Sequence, residues 1–224
     1  MIHGGAPHAD TDMGPSRAAL LVIAKAPAPG RVKTRLVPPC TPQEAADLAG
    51  AALADTLAAA AGAQRAARRV LVLDGAPGPW VPDGFDVNPQ RGDGLAERLA
   101  AAFTDAGGPA FLVGMDTPQL TPALLDAGLE ALDGADAAFG AALDGGYWGL
   151  GLRRPDPEVF RDVPMSHPRT GLVQSVRLAE LGLSTAVLAP MLDVDTIEDA
   201  RRVAAAAPGT RFAAVLADVE RAAA

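Results

Sequence analysis

The chain has 224 residues, 49% of them apolar, and a formal net charge of −8 at pH 7. That length suits a single domain, whose core can bury well over half of the unfolded surface without a disulfide or metal staple. Glycine (24) and proline (20) stay below the share that marks low complexity, so a disordered or collagen-like chain is excluded. The acidic balance argues against a protein that grips nucleic acid through phosphate contacts. One cysteine, Cys40, excludes a disulfide framework and any Cys-based zinc site. No charge-free apolar run is long enough to span a membrane. Residues 1–16 lack the apolar centre of a secretory signal and read as a disordered leader. Residues 17–224 are then one domain, and the expected location is the cytoplasm.

The first core segment, residues 18–24 (AALLVIA), is a short continuous apolar run, as expected of a strand buried on both faces. Thr41, Pro42 and Glu44 spell a helix start with a capping box, and Gly62 stops that helix. Residues 69–74 (RVLVLD) read as a second strand, and residues 75–84 as a Gly/Pro-rich loop. A helix over 94–103 places Leu95, Leu99 and Phe103 on one face. Residues 110–114 are a third buried strand, and Thr121-Pro122 opens a helix to about residue 132. Strands over 136–142 and 147–152 flank the turn Asp144-Gly145-Gly146. A helix over 170–181, a strand over 184–188 and helices over 196–207 and 212–223 complete the chain. Strands alternating with helices of this length imply an α/β domain: a three-layer αβα sandwich around a mainly parallel, mixed sheet. In such sheets ligands bind beyond the carboxyl ends of the strands, so the residues just after each strand are the ones to weigh.

The loop after the first strand carries Lys25, Arg31, Lys33 and Arg35 within eleven positions, stiffened by two prolines and Gly30. Arginine can fork two phosphate oxygens and lysine acts as a point charge, so the loop suits a polyphosphate. A solvated basic loop is the plainer alternative. The spacing matches neither GxxxxGK[ST] nor GxGxxG. Asp116 follows the third strand and Asp195 the last. Each is placed to bind Mg²⁺, which takes one or two carboxylates and completes its shell with phosphate and water; each could equally be a turn or capping residue. Asp193 is then a second ligand or a brace behind Asp195. The two metal candidates meet only if the third strand and the end of the last strand are neighbours at one sheet edge. Lys33 and Arg35 are expected to be exposed at the strand ends. Gln90, Gly92 and Gly94 could set backbone amides against a base or phosphate at a helix start. Asp144, Gly145 and Gly146 form either a plain hairpin or an acceptor-facing turn. Ser166 and the polar loop through Thr170 could bind an acceptor's anion, and His167 lacks the neighbours of a catalytic triad.

Taken together, AKAPAPGRVKTRL, GDGLAERL, GMDTPQL, DGGYWGLGL and DVDTIEDA resemble the bacterial glycosyltransferase-like proteins of glycosyltransferase-A fold. These are related to 2-phospho-lactate guanylyltransferase and, more distantly, to the molybdenum-cofactor guanylyltransferases. The likeness runs over residues 18–203. The last motif is also similar to the VDTPEDL stretch of sugar-acid cytidylyltransferases, with Ile197 in place of Pro and Ala200 in place of Leu. The resemblance implies a Rossmann-like nucleotide-diphospho-sugar transferase fold. It implies Lys25, Gly30, Lys33 and Arg35 on the phosphates, and Gln90, Gly92 and Gly94 beside the base. It implies Asp116 and Asp195 on Mg²⁺, and Asp144, Gly145 and Gly146 on the acceptor side. The activity expected from it is Mg²⁺-dependent transfer of a nucleoside monophosphate from a triphosphate to a small phosphorylated or carboxylated acceptor, with Lys33 and Asp116 as the catalytic pair. A glycosyltransferase using a nucleotide-diphospho-sugar, and a nucleotide-binding module without turnover, are the alternatives.

Overall fold

The computed structural model describes residues 17–223; the leader expected over 1–16 lies outside the described residues. One sheet holds β1 (Ala19–Lys25), β2 (Arg68–Asp74), β3 (Phe85–Pro89), β4 (Ala110–Val113), β5 (Ala137–Ala142), β6 (Tyr147–Leu152) and β7 (Thr185–Met191). Their order is β3-β2-β1-β4-β6-β5-β7. Every neighbouring pair is parallel except those of β6, which runs antiparallel to β4 and to β5. The helices are α1 (Pro42–Gly62), α2 (Leu95–Ala106), α3 (Pro122–Gly134), α4 (Thr170–Glu180), α5 (Ile197–Ala206) and α6 (Arg211–Ala222).

The apolar run of β1 is explained by burial on both faces. Leu20, Val22 and Ala24 pack with Leu53 and Leu57 of α1 and Leu125 and Leu129 of α3. Ala19 and Leu21 turn the other way, onto Leu99 and Phe103 of α2 and Leu178 of α4. This is the three-layer α/β sandwich that the alternation of elements implies. A further cluster seats Val203 of α5 and Phe212 and Leu216 of α6 on the outer side of α1, around Leu48 and Ala52. The capping box of α1 forms as the sequence indicates, with Thr41 and Glu44 exchanging bonds, and Thr196 and Asp199 form a second at α5.

Four elements differ from the sequence reading. β3 is not among the sequence-predicted strands: FDVNP is short, half-exposed and ends in proline, and it is held by pairing with β2 and by Phe85 packing against the core. Short 3-10 helices form over Thr34–Leu36 and Pro157–Phe160. β7 continues past residue 188 to Met191 despite Pro190, which an edge strand tolerates because one side of its backbone is unpaired. No helix among the described residues is long and apolar enough to cross a membrane. The carboxyl ends of β1, β2, β4, β5 and β7 share one rim, and β6 begins there. That rim holds the site.

Candidate functional site

A cleft of about 760 Å³ opens along this rim. Of the sequence-predicted residues, Lys25, Lys33, Arg35, Gln90, Asp116, Asp144, Gly146, Ser166 and Asp195 line it. Gly30, Gly92, Gly94 and Gly145 do not. Sequence reasoning passed over Arg98, Thr117 and Tyr147, which line it too, and assigned no ligand role to Arg31 individually. The five cations of the lining, Lys25, Arg31, Lys33, Arg35 and Arg98, all come from the β1 end, the loop after it and α2.

Lys33 is not an exposed loop lysine. Its side chain is only 7% exposed, its Nζ lies 2.7 Å from an Asp116 carboxylate oxygen, and it also donates to the Val194 carbonyl. Its backbone sits in the left-handed region at φ 47°, which aims the side chain inward from the loop. Arg35 does remain exposed, at 65%, and pairs with Asp195 at 2.5 Å.

The meeting of Asp116 with residues 193–195 does not come from neighbouring strands. β4 and β7 are separated by β6 and β5. Instead the chain leaving β7 folds back across the rim. Leu143 donates to the Met191 carbonyl at 2.9 Å, Gln119 Nε2 donates to that of Leu192 at 2.6 Å, and Val194 donates to that of Asp116 at 3.0 Å. Val194 is fully buried, with Asp193 and Asp195 on either side of it in the chain, and both carboxylates line the cleft. Burial, and then the charges of Asp116 and Asp144, push the Asp193 carboxyl up to about 7. Its Oδ1 is buried without a hydrogen-bond partner among the described residues.

The base-side segment is committed to structure. Gly92 has φ +119°, and a Cβ there would stand 2.6 Å from that of Glu97, so it is the tight turn beneath the first turn of α2. Gln90 Nε2 donates to the Ala24 carbonyl at 2.8 Å and its Oε1 accepts from Arg98 at 3.2 Å. Arg98 also reaches Asp74 at 3.1 Å and the Gly92 carbonyl at 3.1 Å. Gln90 thus lines the cleft with its amide already engaged.

On the opposite side, the hairpin from β5 to β6 docks against the start of α4. Gly171 donates to the Gly145 carbonyl at 2.8 Å, and a Cβ on Gly145 would stand 1.9 Å from the Pro168 carbonyl oxygen. Asp144 accepts from the Gly146 amide at 2.8 Å, while Gly146 faces the cleft. Ser166 and His167 line the same side, and His167 Nδ1 accepts from the Arg169 amide at 3.1 Å. Thr117 Oγ1 and the Tyr147 hydroxyl are buried there with no partner among the described residues.

Among the described residues no group of three or more His, Cys, Asp or Glu side chains makes a complete cage for a metal ion. Mg²⁺ does not need one, because phosphate oxygens and water fill most of its shell. The orphaned oxygen of Asp193, beside Asp116, fits a cation of that kind. Asp116 and Asp195 each already have a cationic partner, Lys33 and Arg35.

Known proteins share this fold. A crystal structure from Desulfovibrio desulfuricans G20, provisionally described as a nucleotide-diphospho-sugar transferase, superposes with a TM-score of 0.83 at 25% identity, over 92% of this chain and 96% of that one. CMP:2-keto-3-deoxy-manno-octonic acid synthetase complexed with CTP gives 0.56 at 14% identity, over 85% and 98%. The 2-C-methyl-D-erythritol 4-phosphate cytidylyltransferase of Thermus thermophilus gives 0.51 at 18%, over 85% and 98%. The last two show a shared Rossmann-like fold and no more. A search of curated proteins finds no match. The family model described as "Uncharacterized protein conserved in bacteria (DUF2064)" matches residues 44–167, more than half of the sequence, and the chain belongs to that family.

Proposed function

We propose that this protein transfers a nucleoside monophosphate from a nucleoside triphosphate to a small acceptor, with Mg²⁺ as cofactor. The five lining cations, all contributed by the end of β1, the loop after it and α2, carry this reading. A triphosphate has the anionic charge to use them; the diphosphate of a nucleotide-sugar has less. Lys25, Arg31 and Arg35 would bind phosphate oxygens, with Arg35 released from Asp195 to do so. Lys33, fixed between Asp116 and the Val194 carbonyl, would hold its positive charge at one point beside the phosphates. Asp116 and Asp193 would hold the metal, which neutralises charge on the phosphate oxygens when bound.

The transfer then needs little covalent help from the protein; placement and fixed charge supply most of the rate. An acceptor hydroxyl oxygen bonds to the α-phosphorus as the bond from that phosphorus to the bridging oxygen breaks, and pyrophosphate leaves. The hydroxyl proton passes to the Asp144 carboxylate, which no lysine or arginine among the described residues neutralises. The same fold serves cytidylyl transfer in the Thermus thermophilus enzyme, although a fold alone does not choose a reaction.

Glycosyl transfer from a nucleotide-diphospho-sugar is the second reading. The near full-length likeness to the Desulfovibrio desulfuricans protein favours it. A thermal-shift panel of triphosphates and nucleotide-sugars, with and without Mg²⁺, separates the two, because ligands that bind the native state raise its melting temperature. A triphosphate should give the larger shift, and pyrophosphate should appear once an acceptor is added. A nucleotide-sugar preference moves the assignment to glycosyl transfer. Binding with neither product leaves a nucleotide-binding module.

A further inference from the structure

The two halves of the cleft differ in charge, and that difference speaks to the second substrate. We infer that the half opposite the cations takes an uncharged molecule bearing adjacent hydroxyls, a sugar or sugar alcohol, and not the phosphorylated or carboxylated acceptor that the family resemblance implies. The inference rests on the reading that the cationic half holds the nucleotide's phosphates.

The wall formed by residues 144–148 and 165–170 contributes no lysine or arginine to the lining. Its charged member is Asp144. An anionic acceptor would meet that carboxylate with no lysine or arginine of the wall to offset it, and like charges so placed repel. The start of α4 offers no anion site either. Thr170 donates its amide to the His167 carbonyl at 2.9 Å, and Gly171 donates to that of Gly145 at 2.8 Å. Arg169 follows in the same loop, but its side chain is exposed and does not line the cleft.

What the cleft offers beside Asp144 suits hydroxyls. Thr117 and Tyr147 both line it; Thr117, 1% exposed, has an unpartnered Oγ1, and the Tyr147 hydroxyl is buried and unpartnered as well, both among the described residues. A buried hydroxyl without a partner is costly, so a ligand that satisfies it gains that cost back. A ligand hydroxyl both donates and accepts, so one hydroxyl can donate to Asp144 while a neighbouring one pairs with Thr117 or Tyr147. Neighbouring hydroxyls can use several of these at once. A phosphate or carboxylate only accepts, and can do nothing with Asp144 but repel it.

Isothermal titration of the full chain, in Mg²⁺ and saturating pyrophosphate, tests this with matched sets: glucose, glucose 1-phosphate and glucuronate; ribitol and ribitol 5-phosphate; myo-inositol and its 1-phosphate. The expected result is saturable binding of a neutral member about tenfold or more tighter than its charged counterparts. Asp144→Asn should weaken it about tenfold, and Arg169→Ala should leave it unchanged. Tighter binding of a charged member, above all binding lost in Arg169→Ala, overturns the inference. So does failure of every neutral member to saturate. The first step, pyrophosphate alone, reads the cationic half by itself. Its failure would count against the phosphate site and hence the proposed function, and would be seen before any second ligand is added.

Discussion

The backbone amide of Val194 donates to the carbonyl of Asp116 at 3.0 Å, and Lys33 closes the same junction from the other side, pairing with the Asp116 carboxylate at 2.7 Å and donating to the Val194 carbonyl. Three segments far apart in sequence meet at this point. Each would-be site residue there therefore has a structural duty as well.

Lys33→Ala and Arg35→Ala should separate those duties. Lys33→Ala removes a nearly buried, charge-assisted bond pair and should cost about 1–3 kcal/mol of stability, which is several degrees in melting temperature for a domain of this size. Arg35→Ala breaks an exposed pair worth about 0–1 kcal/mol and should melt almost like wild type. It should still weaken triphosphate binding by about tenfold or more. Calorimetric melting and a triphosphate titration of both variants decide it. Equal melting temperatures would refute the bracing role of Lys33.

Asp193 should leave a signature in the pH dependence of the metal-free protein. Its carboxyl rises from 3.8 to about 7 on folding, because burial and the neighbouring carboxylates disfavour the charged form. The folded state therefore binds that proton more tightly than the unfolded state. The resulting stability is fully present below about pH 4 and is lost as pH rises through about 7. Asp193→Asn should flatten this part of the curve, leaving the variant more stable than wild type at about pH 8 in a chelating buffer. Parallel curves for the two proteins across that window would contradict the buried-charge account.

Gly145→Ala and Gly92→Val should damage the fold before they damage binding. At Gly145 the backbone has φ +94° and the new Cβ strikes the Pro168 carbonyl. At Gly92, with φ +119°, it strikes Glu97. Strain of this kind costs on the order of 1–3 kcal/mol, and the clash adds to it. Reduced melting temperature in both is the expected reading. A Gly92→Val protein with unchanged stability and lost nucleotide binding would restore the ligand-facing role for that segment.

Mg²⁺ and the triphosphate should bind together, since the protein supplies few of the metal's ligands. Asp116→Asn should keep the shape of the side chain and abolish this coupling: Mg²⁺ should no longer tighten triphosphate binding. Titrations with and without chelator measure it. Persistent coupling in the variant would assign the metal to other residues.

The sequence by itself determined the layered fold, because period and composition are local properties. The two-faced apolar run of β1, the capping box at Thr41, and the strand ends where Lys25 and Asp116 stand can all be read without knowing which strands are neighbours. It also marked many of the charged residues of the cleft lining, since functional side chains in such sheets gather where strands end. It did not determine β3, a short, half-exposed segment held by pairing with β2 and by the packing of Phe85. It favoured Asp195 over Asp193, but could not show that Arg35 pairs with Asp195 while an oxygen of Asp193 is buried without a partner among the described residues, because both follow from the chain's return across the rim, which pins Val194 to Asp116. Lys33 looks like a free phosphate ligand in the sequence for the same reason. Its partners, Asp116 and Val194, lie far along the chain, and only the tertiary structure, by bringing β4 and the segment after β7 to one point, turned its charge inward.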